Sequence, residues 1–385
     1  MKTPVLIIGA GPAGLATAGR LRKKGIPFTI LEQSRRIANA WHEHYERLHL
    51  HTVKEYSNLP HLPFPEHYPR YIPRKLLLEY FEDYARHFDI QPVFGEEVVR
   101  VEREGQGWQV RTAAGNRYES QAVVVCTGFN RCPVVPQWPG QEAFEGEILH
   151  SRSYKTGKPY AGKKVLVVGM GNTGAEIALD LWEQGAEPWI CVRGPVNIVP
   201  RDFRGRPTQI TAMLLGRLPH WLGDPIGVLL RKITIGDLSK YGIRAPKIPP
   251  AKQLRLYGKT PVIDVGTVAQ IKAGNIRVVP GIERFGKREV HFVDGRSLPF
   301  ETVILATGYQ ARVEQFLADT SGLLNEHGVP AQPIAPPPHQ GLYFVGFDAY
   351  SSGILLSIHA DSEKVAEALA RQLADTRLPA FPAEL

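Results

Sequence analysis

A chain of 385 residues with 43% hydrophobic and 22% charged side chains has the make-up of an ordinary globular protein, with room for two or three domains. It carries no apolar run of the roughly 18 residues that cross a bilayer and opens directly on a strand-like segment, so neither a transmembrane segment nor a signal peptide is expected, and the cytoplasm is the expected compartment. The net charge of +8 is uneven: between Arg193 and Lys259 only Asp202, Asp224 and Asp237 are acidic, a surplus that suits steering of an anionic cofactor or substrate better than binding of nucleic acid.

Cys126, Cys132 and Cys191 form no CxxC pair, which excludes a dithiol redox centre of that kind and a disulfide framework. Cys126 and Cys191 stand in apolar strand-like runs and read as buried, inert thiols. No metal site is expected.

In chain order, residues 4–8 read as a strand, followed by Gly9-Ala10-Gly11-Pro12-Ala13-Gly14, a helix over 13–24 and a strand over 28–32. This is a βαβ unit of the length that binds a mononucleotide half. Residues 74–88 read as a helix, with Leu77, Tyr80, Phe81, Tyr84 and Phe88 at helical spacing. Strand-like runs follow at 97–102, 108–112 and 122–126, the last running into Thr127-Gly128. A proline-containing connector over 133–139 leads to a second βαβ unit over 163–193, built around Gly169-Met170-Gly171-Asn172-Thr173-Gly174. Residues 195–260 read as an insertion of short apolar and basic helices, expected to pack against the protein rather than on a membrane. Further strand-like runs lie at 276–279, 289–293 and 302–306, the last running into Ala306-Thr307-Gly308-Tyr309. The plan of glycine loop, βαβ unit, antiparallel meander and closing strand thus occurs twice, as a duplication at domain scale. The proline-rich residues 333–338 read as a linker, 342–346 as a strand, and 354–373 as a long helix with Gly353 just before it.

A lone GxGxxG is weak, because glycine is common in turns. Two, each between a buried strand and a helix, imply two dinucleotides on one chain, and passing a hydride from a nicotinamide to a flavin is the economical reason to hold both. Glycines let the backbone approach a pyrophosphate, and the helix behind directs free N–H groups and its positive end at that anion. Glu32, with Gln33 beside it, ends the second strand about 20 residues past the first loop, where a carboxylate accepts from a ribose diol and repels a 2′-phosphate; this site suits FAD. The matching strand of the second unit closes on Arg193, whose guanidinium pairs with a 2′-phosphate; this site suits NADPH, with Arg201 as a helper. The expected fold is α/β, a flavoprotein with two Rossmann-like dinucleotide-binding domains: an FAD domain over 1–155 and 311–385, and an NADPH domain over 156–310 inserted into it.

The segment Phe144-Glu145-Gly146-Glu147-Ile148-Leu149-His150-Ser151-Arg152-Ser153-Tyr154 fits FxGxxxHxxx(W/F/Y) and resembles the fingerprint of class B flavoprotein monooxygenases. Ala306-Thr307-Gly308-Tyr309 resembles the ATGY motif of that family. The stretches 258–267 (Gly-Lys-Thr-Pro-Val-Ile-Asp-Val-Gly-Thr), 59–65 (Leu-Pro-His-Leu-Pro-Phe-Pro) and 279–282 (Val-Pro-Gly-Ile) resemble its YUCCA subgroup, the flavin monooxygenases of auxin synthesis. The resemblance runs from residue 4 to about 315.

It implies that NADPH reduces FAD, that O₂ adds at flavin C4a, and that the resulting (hydro)peroxyflavin oxygenates a small molecule, with oxidative decarboxylation of an aromatic 2-oxo acid such as indole-3-pyruvate in the lead. N- or S-oxygenation or Baeyer–Villiger insertion on another molecule stays open, as does a reductase serving a protein partner. The resemblance places His150 and Tyr154 in a link between the NADPH and flavin sites, and Trp41, Leu48 and His51 near the isoalloxazine. There an imidazole can steady either protonation state of a peroxide, or simply pack on the flavin. Gly353 and Ile354 would aim a helix N-terminus at the flavin edge that gains charge on reduction. The turn before them, Ala349-Tyr350-Ser351-Ser352, lacks the basic-residue–glycine pattern of the subgroup. Asp264 is expected to form an Asx turn, and a monomer or homodimer is expected.

Overall fold

The computed structural model describes residues 1–347 and 353–375; the turn at 349–352 lies outside them. In chain order they form β1 (Lys2–Ile8), α1 (Pro12–Lys23), β2 (Phe28–Glu32), α2 (Asn39–Glu43), α3 (Arg74–His87), β3 (Val93–Phe94), β4 (Val98–Glu104), β5 (Gly107–Thr112), β6 (Arg117–Val125), β7 (Cys132–Pro133), β8 (Glu147–His150), β9 (Lys164–Val168), α4 (Asn172–Glu183) and β10 (Glu187–Cys191). The expected insertion holds β11 (Ile198–Pro200), β12 (Asp202–Phe203), β13 (Arg206–Pro207), α5 (Thr208–Leu215), α6 (His220–Thr234) and α7 (Pro250–Tyr257). The chain continues through β14 (Val262–Asp264), α8 (Thr267–Lys272), β15 (Arg277–Val279), β16 (Ile282–Phe285), β17 (Glu289–Phe292), β18 (Ser297–Pro299), β19 (Thr302–Leu305), β20 (Tyr309–Gln310), β21 (Leu342–Phe344) and α9 (Ile354–Asp375).

One sheet runs β3-β2-β1-β6-β5-β4, with β21 also joined to β6. It is parallel except for the β4-β5-β6 meander. The second runs β15-β10-β9-β19-β8, parallel throughout, with its own meander β16-β17-β18 beside it. Both central strands are unbroken apolar runs because both faces are covered. Side chains alternate between the faces: Val5 and Ile7 meet α1, α3 and α9, whereas Leu6 and Ile8 meet the meander and Val313 and Phe316. In the second unit, Val165 and Val167 meet α4 and the buried Ile198, Ile235, Leu238 and Ile243 of the insertion. Leu166 and Val168 meet Phe285, Val290 and Phe292.

The duplication extends to single atoms. Gly9 and Gly169 have φ of +102° and +109°, and a Cβ on either would meet a backbone oxygen of the neighbouring strand's end, Cys126 O at 2.8 Å and Ala306 O at 2.6 Å. Their amides donate to Leu31 O (2.8 Å) and Cys191 O (3.0 Å). A Cβ on Gly14 or Gly174 would collide with the carbonyl of Gly9 or Gly169, so each loop closes only with glycine at both positions.

Two expectations change. β8, placed in the first unit by a boundary at 155, pairs with β19 in the second sheet, so the chain crosses earlier. It does so where β7 and β20 pair antiparallel, Tyr309 opposite Pro133 and Gln310 opposite Cys132. The proline-rich segment is no free linker: Phe344 N–H donates to Pro333 O at 2.8 Å and Ala335 N–H to Leu342 O at 3.1 Å, so a carbonyl and an amide of this segment serve the edge of β21. Among the described residues, no helix is long and apolar enough to cross a membrane.

Candidate active site

The N-termini of α1 and α4 match. Each starts behind a glycine, Gly11 or Gly171, with no side-chain cap and no acidic residue in its first turn. Pro12 occupies the first turn of α1, where its missing N–H costs nothing, and Ala13 is buried beneath it. A Cβ on Gly11 or Gly171 would meet nothing within 4 Å. Uncapped amides at the positive end of a helix thus face open space, which fits a dinucleotide pyrophosphate at both places.

Around the first loop, the Glu32 carboxylate is buried and held from two sides. Ala10 N–H donates to Oε2 at 2.8 Å and Ser34 N–H to Oε1 at 2.9 Å, and each oxygen keeps a lone pair for a ribose hydroxyl. Gln33 is exposed. Thr127, at the end of β6 beside Gly128, has a buried hydroxyl without a hydrogen-bond partner among the described residues, a polar group suited to a bound cofactor.

Around the second loop, Arg193 is exposed at the end of β10 and makes no ion pair or hydrogen bond with any described residue. Arg201 differs: its guanidinium stacks on Tyr71 at 4.2 Å and lies 3.5 Å from Asp202, so it is engaged within the protein. The Asn172 and Thr173 side chains also turn inward. Asn172 Oδ1 accepts from Ile263 N–H at 2.7 Å, and the Thr173 hydroxyl lies beside Tyr45; backbone is what these positions offer a phosphate. Asp264 Oδ1 accepts from Gly266 N–H (3.3 Å) and Val268 N–H (2.9 Å), the expected turn at the start of α8.

The Ala306–Tyr309 segment clasps the crossing. Thr307 Oγ1 donates to Val134 O at 2.5 Å, Val134 N–H donates to Gly308 O at 3.0 Å, and Ala306 N–H to Val168 O. His150 joins this clasp, with Nε2 3.2 Å from Gly308 O and Nδ1 accepting from Arg152 N–H at 3.1 Å. Its ring meets Tyr309 edge-on at 5.0 Å. Burial, helped by Arg152, lowers its pKa and favours the neutral ring.

The two units meet along α4. Glu176, Asp180 and Glu183 lie on one face at i, i+4 and i+7. Glu176 Oε1 receives the Tyr45 hydroxyl at 3.1 Å and stands 2.8 Å from His51 Nε2. Asp180 Oδ2 receives the Tyr154 hydroxyl at 2.6 Å and Gly157 N–H at 2.8 Å. Glu183 receives Arg47 through two bonds, 3.0 and 2.7 Å. Glu176 and Asp180 are only 3% and 5% exposed.

With Nε2 committed to a carboxylate, His51 carries its proton there and turns Nδ1 the other way; Nδ1 is buried and has no hydrogen-bond partner among the described residues. Tyr154 is buried and stacked on Tyr160, and burial with the adjacent Asp180 raises its pKa. It ties the segment after β8 to α4 within the second unit.

The loop bearing His51 is fastened on both sides: Leu50 N–H donates to Ile72 O (2.9 Å), Arg74 N–H to Leu48 O (2.8 Å), and Val53 N–H to Gln209 Oε1 of α5 (2.8 Å). Leu48 packs on the second core. Trp41 meets Phe81 and His44 edge-on at 6.0 and 5.7 Å. Gly353, just before Ile354 and α9, lies so close to this loop that a Cβ would meet Thr52 Cγ2 at 2.5 Å. The structure therefore brings Trp41, Leu48, His51, Gly353 and Ile354 toward one region, and adds Tyr45, His44 and Glu176, which motif reading passed over. The signal for Glu176 was present: two acids one turn apart inside the buried run 174–181 of α4.

Residues 2–326 match the flavin-binding monooxygenase-like family. The chain is 41% identical over 356 residues to a probable indole-3-pyruvate monooxygenase, YUCCA3 of Arabidopsis thaliana, covering 89% of this chain and 81% of that protein. It is 40% identical over 368 residues to the indole-3-pyruvate monooxygenase YUCCA1 of Oryza sativa subsp. japonica, covering 94% and 90%. Among solved structures, it shares its fold with a flavin-containing monooxygenase from Stenotrophomonas maltophilia (TM-score 0.74, 22% identity, 97% of this chain and 99% of that one). It also shares it with the cyclohexanone monooxygenase of Rhodococcus sp. Phi1 bound to NADP⁺ (TM-score 0.72, 18% identity, 97% and 85%). With its two dinucleotide-binding units, the chain belongs to the flavin-binding monooxygenase-like family, enzymes dependent on FAD and NADPH, and is similar to the YUCCA members of it.

Proposed function

We propose that the chain converts an aromatic 2-oxo acid, with indole-3-pyruvate foremost, to the arylacetic acid. One O₂ and one NADPH with a proton are consumed; CO₂, water and NADP⁺ are released. The observation that carries this reading is identity of about 40% across nine-tenths of the chain to proteins named for that reaction. Bound FAD supplies the hydride acceptor and the place where O₂ reacts.

The chain's own residues then have these roles. The start of α1, Glu32, Gln33, Thr127 and Gly128 hold FAD in the unit made by both ends of the chain. The start of α4 and Arg193 hold NADPH in the unit between the two crossings. Trp41, Leu48, Gly353 and Ile354 border the flavin ring, and His51, with Nε2–H given to Glu176, holds or takes a proton at Nδ1. His150 and the Ala306–Tyr309 clasp keep the units in register.

The test is NADPH oxidation and oxygen uptake with indole-3-pyruvate, phenylpyruvate, trimethylamine and a thioether, with products identified. Arylacetic acid and CO₂ formed in step with NADPH loss are expected. Oxygenation of the amine or sulfide with no reaction of either 2-oxo acid overturns the substrate assignment, and NADPH loss without any oxygenated product overturns the monooxygenase role.

A further inference from the structure

Half of the large apolar side chains exposed among the described residues fall within 214–257. They gather on the end of α5, on α6 and on α7. Trp221 is 77% exposed, Ile233 62% and Leu229 57%, with Leu218, Leu222 and Leu256 beside them. The opposite side of this segment is anchored: Arg231 donates to the buried Asn197, Gly223 is buried, and Ile235 and Leu238, just beyond α6, sit in the second core. The insertion therefore meets the expectation of internal packing with one side only and presents the other outward, where clustered exposed apolar side chains mark a contact surface.

Between α6 and α7 runs an open groove of about 810 Å³ lined by Trp221, Pro225, Leu229 and Leu256, with Lys232 and Lys252 at its edges. Its one acid, Asp224, is neutralised by Arg255 at 2.7 Å. Arg217, Lys232 and Lys252 pair with no carboxylate among the described residues. A second copy laid on this face would set these cations against their own kind. Anionic headgroups above acyl chains complement both the apolar side chains and the cations.

We propose that this face rests on the surface of an anionic lipid bilayer, with Trp221, Leu229 and Ile233 in the boundary between headgroups and acyl chains and Arg217, Lys232 and Lys252 at the lipid phosphates. α5 joins the face to the site: Gln209 at its start holds Val53 of the His51 loop, and its eight residues rise about 12 Å. The active-site loop thus lies one short helix from the lipid.

The experiment uses the purified flavin-loaded protein and vesicles of phosphatidylglycerol with phosphatidylcholine, or of phosphatidylcholine alone, in flotation at low and high salt. Binding to the anionic vesicles, weakened by salt, is expected. The double variant Trp221→Ser/Ile233→Ser loses roughly tenfold or more in vesicle affinity while NADPH oxidation in solution is unchanged. Brominated acyl chains quench tryptophan emission in the parent, and that quenching is lost in Trp221→Phe. Absence of flotation, equal binding to both vesicle types, or quenching that survives Trp221→Phe overturns the proposal. So does a dimer in light scattering that Ile233→Ser dissociates, which would assign the face to a second copy. None of these readouts depends on the substrate.

Discussion

His44 sits half-buried between Trp41 and Tyr45, and burial, with Lys155, Arg74 and Arg152 around it, lowers its pKa to about 4. Above pH 6.5 the ring is neutral in folded and unfolded chains alike. As the pH falls from 6.5 toward 4, the unfolded chain binds a proton that the folded one refuses, and about 3 kcal/mol of stability is lost across that window. His44→Asn should therefore show a smaller drop in melting temperature between pH 7 and pH 5 than the parent; an equal drop would show that the acid sensitivity comes from elsewhere. Just past β10, Arg193 is an exposed cation with no ion pair or hydrogen bond among the described residues. Arg193→Ala should raise KM for NADPH roughly tenfold to a hundredfold, the worth of a charge-assisted hydrogen bond, and leave KM for NADH within about twofold. Steady-state kinetics with both nucleotides checks this. Glu32 and Arg193 were legible because a side-chain type at a strand end after a glycine loop carries meaning by position. Glu176 was legible only as one of two acids a turn apart in α4; its partners Tyr45 and His51, more than a hundred residues away in sequence, were not.

At the level of elements, α4 does two things with one helix. Its first turn presents uncapped amides to open space, and its flank carries the acids that hold the His51 loop and the Tyr154 segment. Glu176→Gln keeps the shape but removes the charge that fixes the imidazole; kcat should fall roughly tenfold to a hundredfold with KM for NADPH little changed, and the ¹⁵N signals of His51 should lose their preference for Nε2–H. Unchanged kcat would place His51 outside the chemistry. Tyr154→Phe should lower stability by about 1–3 kcal/mol, measured by urea unfolding, with no shift in the pH profile of turnover. The helices and strands themselves were largely legible, because buried strands such as β1 and β9 are unbroken apolar runs and α3 repeats its aromatics at helical spacing. Two segments were misjudged for physical reasons. The prolines of 333–338 remove donors but leave carbonyls, and the Pro333 carbonyl with the Ala335 amide serves β21. The apolar period of α6 says that one side differs from the other without saying which side finds a neighbour.

For the molecule as a whole, the doubled plan was visible in the spacing of the glycine loops, while the crossing point was not: β8 follows the first unit in sequence but hydrogen-bonds within the second sheet. Closure of the first unit depends on α9. Arg20 of α1 donates to Ser362 Oγ and His359 O, each at 3.1 Å, and Leu355, Ile358, Val365 and Leu369 share a core with Val5 and Ile7. Four such side chains contribute about 6–12 kcal/mol, comparable with the whole stability of a domain. A chain ended before α9 should show no cooperative melting and retain no flavin, as calorimetry and absorbance would report.

The antiparallel pairing of β7 with β20 has an evolutionary corollary. A stretch of polypeptide whose two ends emerge side by side can be exchanged as a cassette, provided the graft brings carboxylates for Tyr45, His51 and Arg47 on its first helix. Nicotinamide preference in such a scaffold is thus an exchangeable part, open to change by recombination as well as by stepwise mutation.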